Sequence, residues 1–229
     1  MTEPATKKAK VSKPVLYSYW RSSCSWRVRV ALNMKKIGYE YVAKHLVKAE
    51  QLSSEYAEKN PSRELPTLEI DGLCLNQSMA IIQYLDETRS GGELPSLFPS
   101  TPEGRYQVRR ICDIIGTGIQ PIQNLRVLLK VMQFKEDKDE KTKAKIAWGK
   151  HWIDLGFQSL EKALSQTAGK YCVGDSVTAA DLFLVPQVYN ANRFKVDMSK
   201  FPIISRIDKA LNELEDFKNA HPSQMPDAQ

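Results

Sequence analysis

Hydrophobic and polar positions change period several times along this chain. The run VLYSY at positions 15–19 is short, apolar and rich in strand formers, and predicts a buried strand. It stops at Ser22, Ser23, Cys24 and Ser25, small polar residues in succession. After them Val28, Ala31, Leu32 and the stem of Lys35 recur on one helical stripe that Met34 and Ile37 extend, predicting a helix over 26–36 ended by Gly38. Residues 39–46 are again rich in strand formers, and 53–60 predict a short polar helix before Pro61. A strand, a helix and a strand in this order imply a right-handed crossover and parallel strands. Leu65 to Leu75 alternates about Asp71-Gly72, two residues that accept positive φ, and predicts a tight hairpin. A helix follows from Gln77-Ser78 through Arg89, with Met79, Ile82 and Leu85 on its apolar face.

Beyond it the period is helical throughout. Residues 91–101, rich in glycine and proline, read as a linker. Pro102 opens a long helix predicted to reach Met132, in which Gly116 and Gly118 signal a bend or a close helix contact. A second long helix is predicted over 139–166, and a last one over 202–217. Thr178-Ala179-Ala180-Asp181 has capping-box form ahead of the apolar LFLVP, so Asp181 is expected to serve folding rather than catalysis. The pattern therefore predicts an α/β half, 14–90, and an all-helical half, 102–229.

Composition adds little and excludes more. The chain has 229 residues, 42% hydrophobic and 26% charged, enough to bury a sizeable core. No run is long and apolar enough for a membrane span, and nothing resembles a secretory leader, so a cytoplasmic location is expected. The four cysteines, Cys24, Cys74, Cys112 and Cys172, form no C-x-x-C pair, which disfavours a disulfide framework or a metal site and suits a reducing compartment. The last three are expected in the core. Of the net charge of +6, half comes from Lys7, Lys8, Lys10 and Lys13 against Glu3. Residues 1–13 are expected to be a disordered solubilising tail, and no nucleic-acid partner is expected from the mildly basic remainder.

The candidate chemistry lies at the Ser22–Ser25 elbow, where a strand ends and a helix begins. Unpaired N–H groups of a helix start, hydroxyls and a thiol meet there, a setting that stabilises an anion or a thiolate. Gln77-Ser78 offers a second such start. The elbow, Leu65-Pro66 ahead of a strand, and Gln77-Ser78 ahead of a helix together resemble the glutathione-binding, thioredoxin-like domain of glutathione transferases. More narrowly, RSSCSWRVR, NQS, GIQPIQNL, KYCVGDSVTAADLFLVPQ and NANRF resemble the zeta class, over about positions 14–226.

That resemblance implies a thioredoxin-like domain followed by a helical domain, glutathione as cofactor, a homodimer, and cis-trans isomerisation of maleylacetoacetate by thiolate addition, bond rotation and elimination. It points to Ser22 as the hydroxyl nearest the sulfur, with Ser23 and Cys24 in support. Gln51 would meet the glycyl end, Leu65 would pair through its backbone, Gln77 and Ser78 would hold the γ-glutamyl carboxylate, and Gln120 and Asn124 would contribute from the helical half. Arg193 and Arg21 are the expected anchors of a small carboxylated electrophile, since a guanidinium suits bidentate carboxylate binding. Arg126 stands where relatives are expected to carry a small polar residue, which would alter the acceptor site. None of the histidines, His45, His151 and His221, lies in a motif, so no histidine base is expected. A detoxifying transferase acting on xenobiotic electrophiles or α-halo acids would share every glutathione contact. A thioltransferase working through Cys24 and a non-catalytic glutathione-binding protein are further readings.

Overall fold

A computed structural model describes residues 13–229, so the expected tail lies outside the described residues except for Lys13. Strand β1 (Val15–Ser18) sits inside a four-stranded sheet of order β2-β1-β3-β4, with β2 at Glu40–Ala43, β3 at Thr67–Ile70 and β4 at Leu73–Asn76. It runs parallel to β2, as the crossover requires, and antiparallel to β3, which pairs antiparallel with β4. Leu16, opposite Tyr41 on one side and Leu68 on the other, is completely buried. The hairpin forms as expected: Ile70 pairs with Leu73, and Asp71 and Gly72 between them have φ of 55° and 77°. The Leu65–Pro66 peptide bond is cis.

Helix α1 (Ser23–Met34) begins earlier than its apolar stripe suggested, because Ser22 supplies the cap. It ends at Lys35 and Lys36 rather than Gly38. Lys36 takes the left-handed conformation, φ 54°, while the Ile37 N–H reaches back to Leu32 O at 2.9 Å. Strand β2 stops at Ala43, and short 3-10 turns at Leu46–Lys48 and Glu50–Leu52 lead to α2 (Ser54–Lys59). Helix α3 covers Ser78–Thr88.

In the helical half α4 covers Pro102–Gly116 and α5 covers Leu125–Met132, so the long helix expected to reach Met132 is two. Between them the chain turns at Pro121, which lacks an N–H, and restarts where Asn124 caps α5. The expected close contact at Gly116 is present: a Cβ there would lie 3.1 Å from the Phe183 ring. Helix α6 covers Lys138–Thr167 and α7 covers Ala179–Arg193. The α7 capping box is complete, and the fully buried Asp181 accepts from Thr178 N at 2.8 Å and Cys172 N at 2.9 Å. The expected terminal helix is also divided, into α8 (Pro202–Asn212) and α9 (Glu215–Ala220). The turn at Leu214 lets α9 bury Phe217 and Ala220 and pack against α1.

Polar groups inside the core fasten these parts. Buried Lys35 donates through Nζ to Asp86 Oδ1 at 2.7 Å, Ser90 Oγ at 2.7 Å and Pro95 O at 2.5 Å, while Asp86 also accepts from Leu97 N at 2.7 Å. This stapled segment connects the sheet half to α4. Arg29, completely buried, donates to Ala220 O at 3.1 Å and Trp20 O at 3.0 Å, and Asp227 accepts from Trp20 N at 3.1 Å and the Tyr41 hydroxyl at 2.7 Å. The turn before α1 is thereby held by the C-terminal segment. Cys112 and Cys172 are buried as expected, and burial pushes both thiols up. Cys74 departs from expectation: it lies exposed on β4, an edge strand, not in the core. Among the described residues no helix is long and apolar enough to cross a membrane.

Candidate active site

The carboxyl end of β1 runs through Tyr19–Arg21 into Ser22, the N-cap of α1. Ser22 Oγ accepts from Ser25 N at 3.2 Å, which fills one lone pair and leaves the hydroxyl proton free to donate elsewhere. Ser22 and Cys24 face a cleft of about 770 Å³ between the sheet half and the helical half, within the range of small-molecule sites. Across it lies the start of α3. Gln77 precedes that helix with φ 67°, a left-handed conformation that orients the chain entering it. Ser78, nearly buried, repeats the arrangement of Ser22, because its Oγ accepts from Arg27 Nη1 at 3.2 Å and its proton is likewise free. Two helix starts and two outward-donating hydroxyls therefore converge on one cleft, a field suited to anionic groups.

The other expected contacts gather at the same cleft. Gln51, Leu65, Gln77, Gln120, Asn124 and Arg126 all line it. The Gln51 carbonyl oxygen is buried without a hydrogen-bonding partner among the described residues. Among the described residues, the backbone of Leu65 takes part in none of the loop, turn or cap hydrogen bonds. Arg126 reaches across to Glu64 Oε1 at 2.9 Å, closing an exposed ion pair between the two halves. An apolar rim is formed by Val47, Leu52 and Leu129, each at least half exposed.

Three expected residues stand elsewhere. Ser23 is buried in the first turn of α1 and does not line the cleft, since successive helix positions point about 100° apart and Ser22 and Cys24 take the cleft side. Arg21 lies over the Trp20 ring at 5.1 Å, and Arg193 donates to Asn190 Oδ1 at 3.1 Å; neither lines the cleft. They form a basic group with Lys145. Desolvation and then Arg21 lower the Arg193 pKa, and burial followed by Arg193 and Arg21 lowers that of Lys145.

Known proteins share this fold. The Glutathione S-transferase, N-terminal domain model matches residues 13–87, and the Glutathione S-transferase, C-terminal domain model matches 123–219. Maleylacetoacetate isomerase of Rattus norvegicus is 51% identical over 217 residues, covering 94% of this chain and 95% of its own. Among solved structures, holo maleyl pyruvate isomerase, a bacterial zeta-class glutathione S-transferase, superposes with a TM-score of 0.87 at 40% identity, covering 94% of this chain and all of its own. The chain belongs to the zeta class of the glutathione S-transferases. The maleylacetoacetate isomerase of Anaeromyxobacter dehalogenans 2CP-1, with dicarboxyethyl glutathione and citrate in its active site, superposes at 0.82 with 38% identity, covering 95% of this chain and 98% of its own.

As in other glutathione S-transferases, glutathione is the cofactor, and the cleft fits it. A tripeptide with two carboxylates, an amine and an amide backbone needs both donors and acceptors. Ser22, Ser78 and the helix starts donate, while Gln51 Oε1 is a buried acceptor without a partner. Sequence reasoning missed Arg27, Glu64 and Lys145 in this zeta-class chain. Arg27 is 2% exposed and lines the cleft. Its signal was present, because Trp26, Val28 and Val30 around it are apolar and a helix buried on every side must bury its arginines as well.

Proposed function

We propose that this chain catalyses the glutathione-dependent cis-trans isomerisation of maleylacetoacetate to fumarylacetoacetate. The observation that carries the reading is the convergence of Ser22, Cys24, Gln77 and Ser78 on a cleft wide enough for the tripeptide and a second small molecule. Bound glutathione supplies the sulfur nucleophile whose reversible addition to the cis-alkene frees its carbon–carbon bond to rotate. Ser22 donates its free proton toward the sulfur and the α1 N-terminus adds its positive end, which together favour the thiolate over a thiol of ordinary pKa about 8.5. Cys24 stands beside Ser22 on the same wall, and Ser23 supports the elbow from within. Gln51, the Leu65 backbone, Gln77 and Ser78 hold the tripeptide, with Gln120 and Asn124 closing it from the helical half. Arg193 and Arg21, reinforced by Lys145, stand outside the lining of the cleft as a basic group whose field draws an acceptor carboxylate toward it. Residues 14–90 and 102–229 act as the two domains, joined by 91–101, and two copies form a homodimer.

The test is turnover of maleylacetoacetate by the wild type and Arg193→Ala. Loss of activity concentrated in the acceptor KM is expected, and unaltered turnover would remove Arg193 from the site. The apolar rim of Val47, Leu52 and Leu129 favours a second activity, conjugation of apolar electrophiles. It is checked by comparing kcat/KM for such an electrophile with that for maleylacetoacetate, and a higher value for the electrophile would make detoxification the main role.

A further inference from the structure

Arg27 is a buried cation without a buried anion. It lies in α1 at 2% exposure, and its guanidinium covers the Phe183 ring of α7 at 3.8 Å. Only Nη1 has a hydrogen-bond acceptor, Ser78 Oγ at 3.2 Å, whereas Nε and Nη2 are buried and meet no acceptor among the described residues. None of the ion pairs among the described residues includes Arg27. The other buried basic residues are treated differently: Lys35 has Asp86, and Arg29 has a set of carbonyls. Burying an unpaired charge is costly, and such a group normally has a partner. Burial lowers the Arg27 pKa, and the neighbours that raise it, Cys24 and Cys112, are thiols rather than carboxylates.

The cleft contains what is missing. Arg27, Ser78, Phe183 and Cys24 line one stretch of its wall. Because Arg27 donates into a lone pair of Ser78, the serine proton must point away from the guanidinium. The O–H is therefore available to an acceptor in the cleft, and an anion there lies within the field of a fixed, poorly screened charge.

We propose that Arg27 is the positioning residue of the glutathione site, fixing Ser78 as a donor to the γ-glutamyl α-carboxylate and supplying that carboxylate's counter-charge from beneath the helix starts. The inference rests on the glutathione reading above. Phe183 stacks against the guanidinium and keeps it in place, and Gly116 leaves room for that ring.

The experiment compares binding of glutathione with binding of γ-aminobutyryl-cysteinyl-glycine, the same tripeptide without the α-carboxylate, by isothermal titration calorimetry. Wild type, Arg27→Lys, Arg27→Met and Ser78→Ala are measured with both ligands. A charge-assisted hydrogen bond is worth about 10- to 100-fold in affinity, so the wild type is expected to prefer glutathione by roughly that factor. Arg27→Met is expected to bring the two ligands within about threefold of each other by losing affinity for glutathione alone, with Arg27→Lys intermediate and Ser78→Ala resembling Arg27→Met. Equal weakening of both ligands in Arg27→Met, or unchanged preference, would overturn the proposal in favour of simple packing. If Arg27→Met does not fold, Arg27→Lys alone decides, since it preserves the charge and removes the fork: a preference as large as the wild type's after correcting for Ser78→Ala overturns the role through Ser78. A wild type that binds neither ligand would instead refute the glutathione reading.

Discussion

The two walls of the cleft are built on different principles. On the sheet side, Ser22, Cys24, Leu65, Gln77 and Ser78 sit where strands end and helices begin, supported from behind by Arg27 and Arg29. On the helical side, Gln120, Asn124, Arg126 and Leu129 come from the turn between α4 and α5 and from α5 itself, where Arg126 and Leu129 are exposed. A wall of buried hydrogen bonds tolerates one ligand geometry, whereas a wall of exposed side chains can change its preference at little cost in stability. The first suits a constant cofactor and the second a variable acceptor.

The largest effect tests whether the constant wall depends on the stapled segment behind it. Asp86→Ala leaves the buried Lys35 ammonium without its anion and is expected to cost about 3–5 kcal/mol, measured by chemical denaturation. A cost below about 1 kcal/mol would mean that Ser90 and Pro95 hold Lys35 unaided. Burial alone would raise the Asp86 pKa, but the Leu97 N–H, Lys35 and Ser90 more than offset it and hold the carboxyl below its ordinary value. A depressed folded-state pKa means that this stabilisation is fully present above the unfolded value of about 3.9 and is lost as pH falls through the folded one. The difference between wild type and Asp86→Ala should therefore hold steady from pH 7 to about 5 and shrink only in stronger acid.

Ser22→Ala removes the cleft-lining hydroxyl of the elbow. It is expected to lower kcat about 100- to 1000-fold and to reduce the thiolate absorbance of bound glutathione, while glutathione affinity changes only a few-fold. An unchanged spectrum would transfer the role to Cys24. The smallest effect sharpens the comparison from the other wall. Arg126→Ser breaks an exposed ion pair worth about 0–1 kcal/mol, so melting and glutathione binding should hardly move while the acceptor KM shifts several-fold. Equal shifts in glutathione and acceptor constants would make the two walls one functional unit.

What could be read in the sequence follows the same division. The β-α-β start, the Asp71-Gly72 hairpin and the Thr178–Asp181 capping box depend on neighbours in the chain, and all were legible. The break between α4 and α5 was not, because Leu125 to Met132 resumes a helical period after Pro121 and a period does not record the turn between. Cys74 was misplaced because its burial depends on which strand forms the sheet edge. Ser22, Cys24, Gln51, Leu65, Gln77, Ser78, Gln120, Asn124 and Arg126 line the cleft, whereas Ser23, Arg21 and Arg193 fall outside it. Arg27 was overlooked because arginine ordinarily marks a surface, and only the packing of α1 on all sides reverses that expectation.

The contact of Asp227 with Trp20 and Tyr41 makes the segment around Asp227 part of the elbow itself. Asp227→Ala would release the Trp20 amide 2 positions before Ser22, so a change far along the chain from Ser22 amounts to a lesion of the elbow.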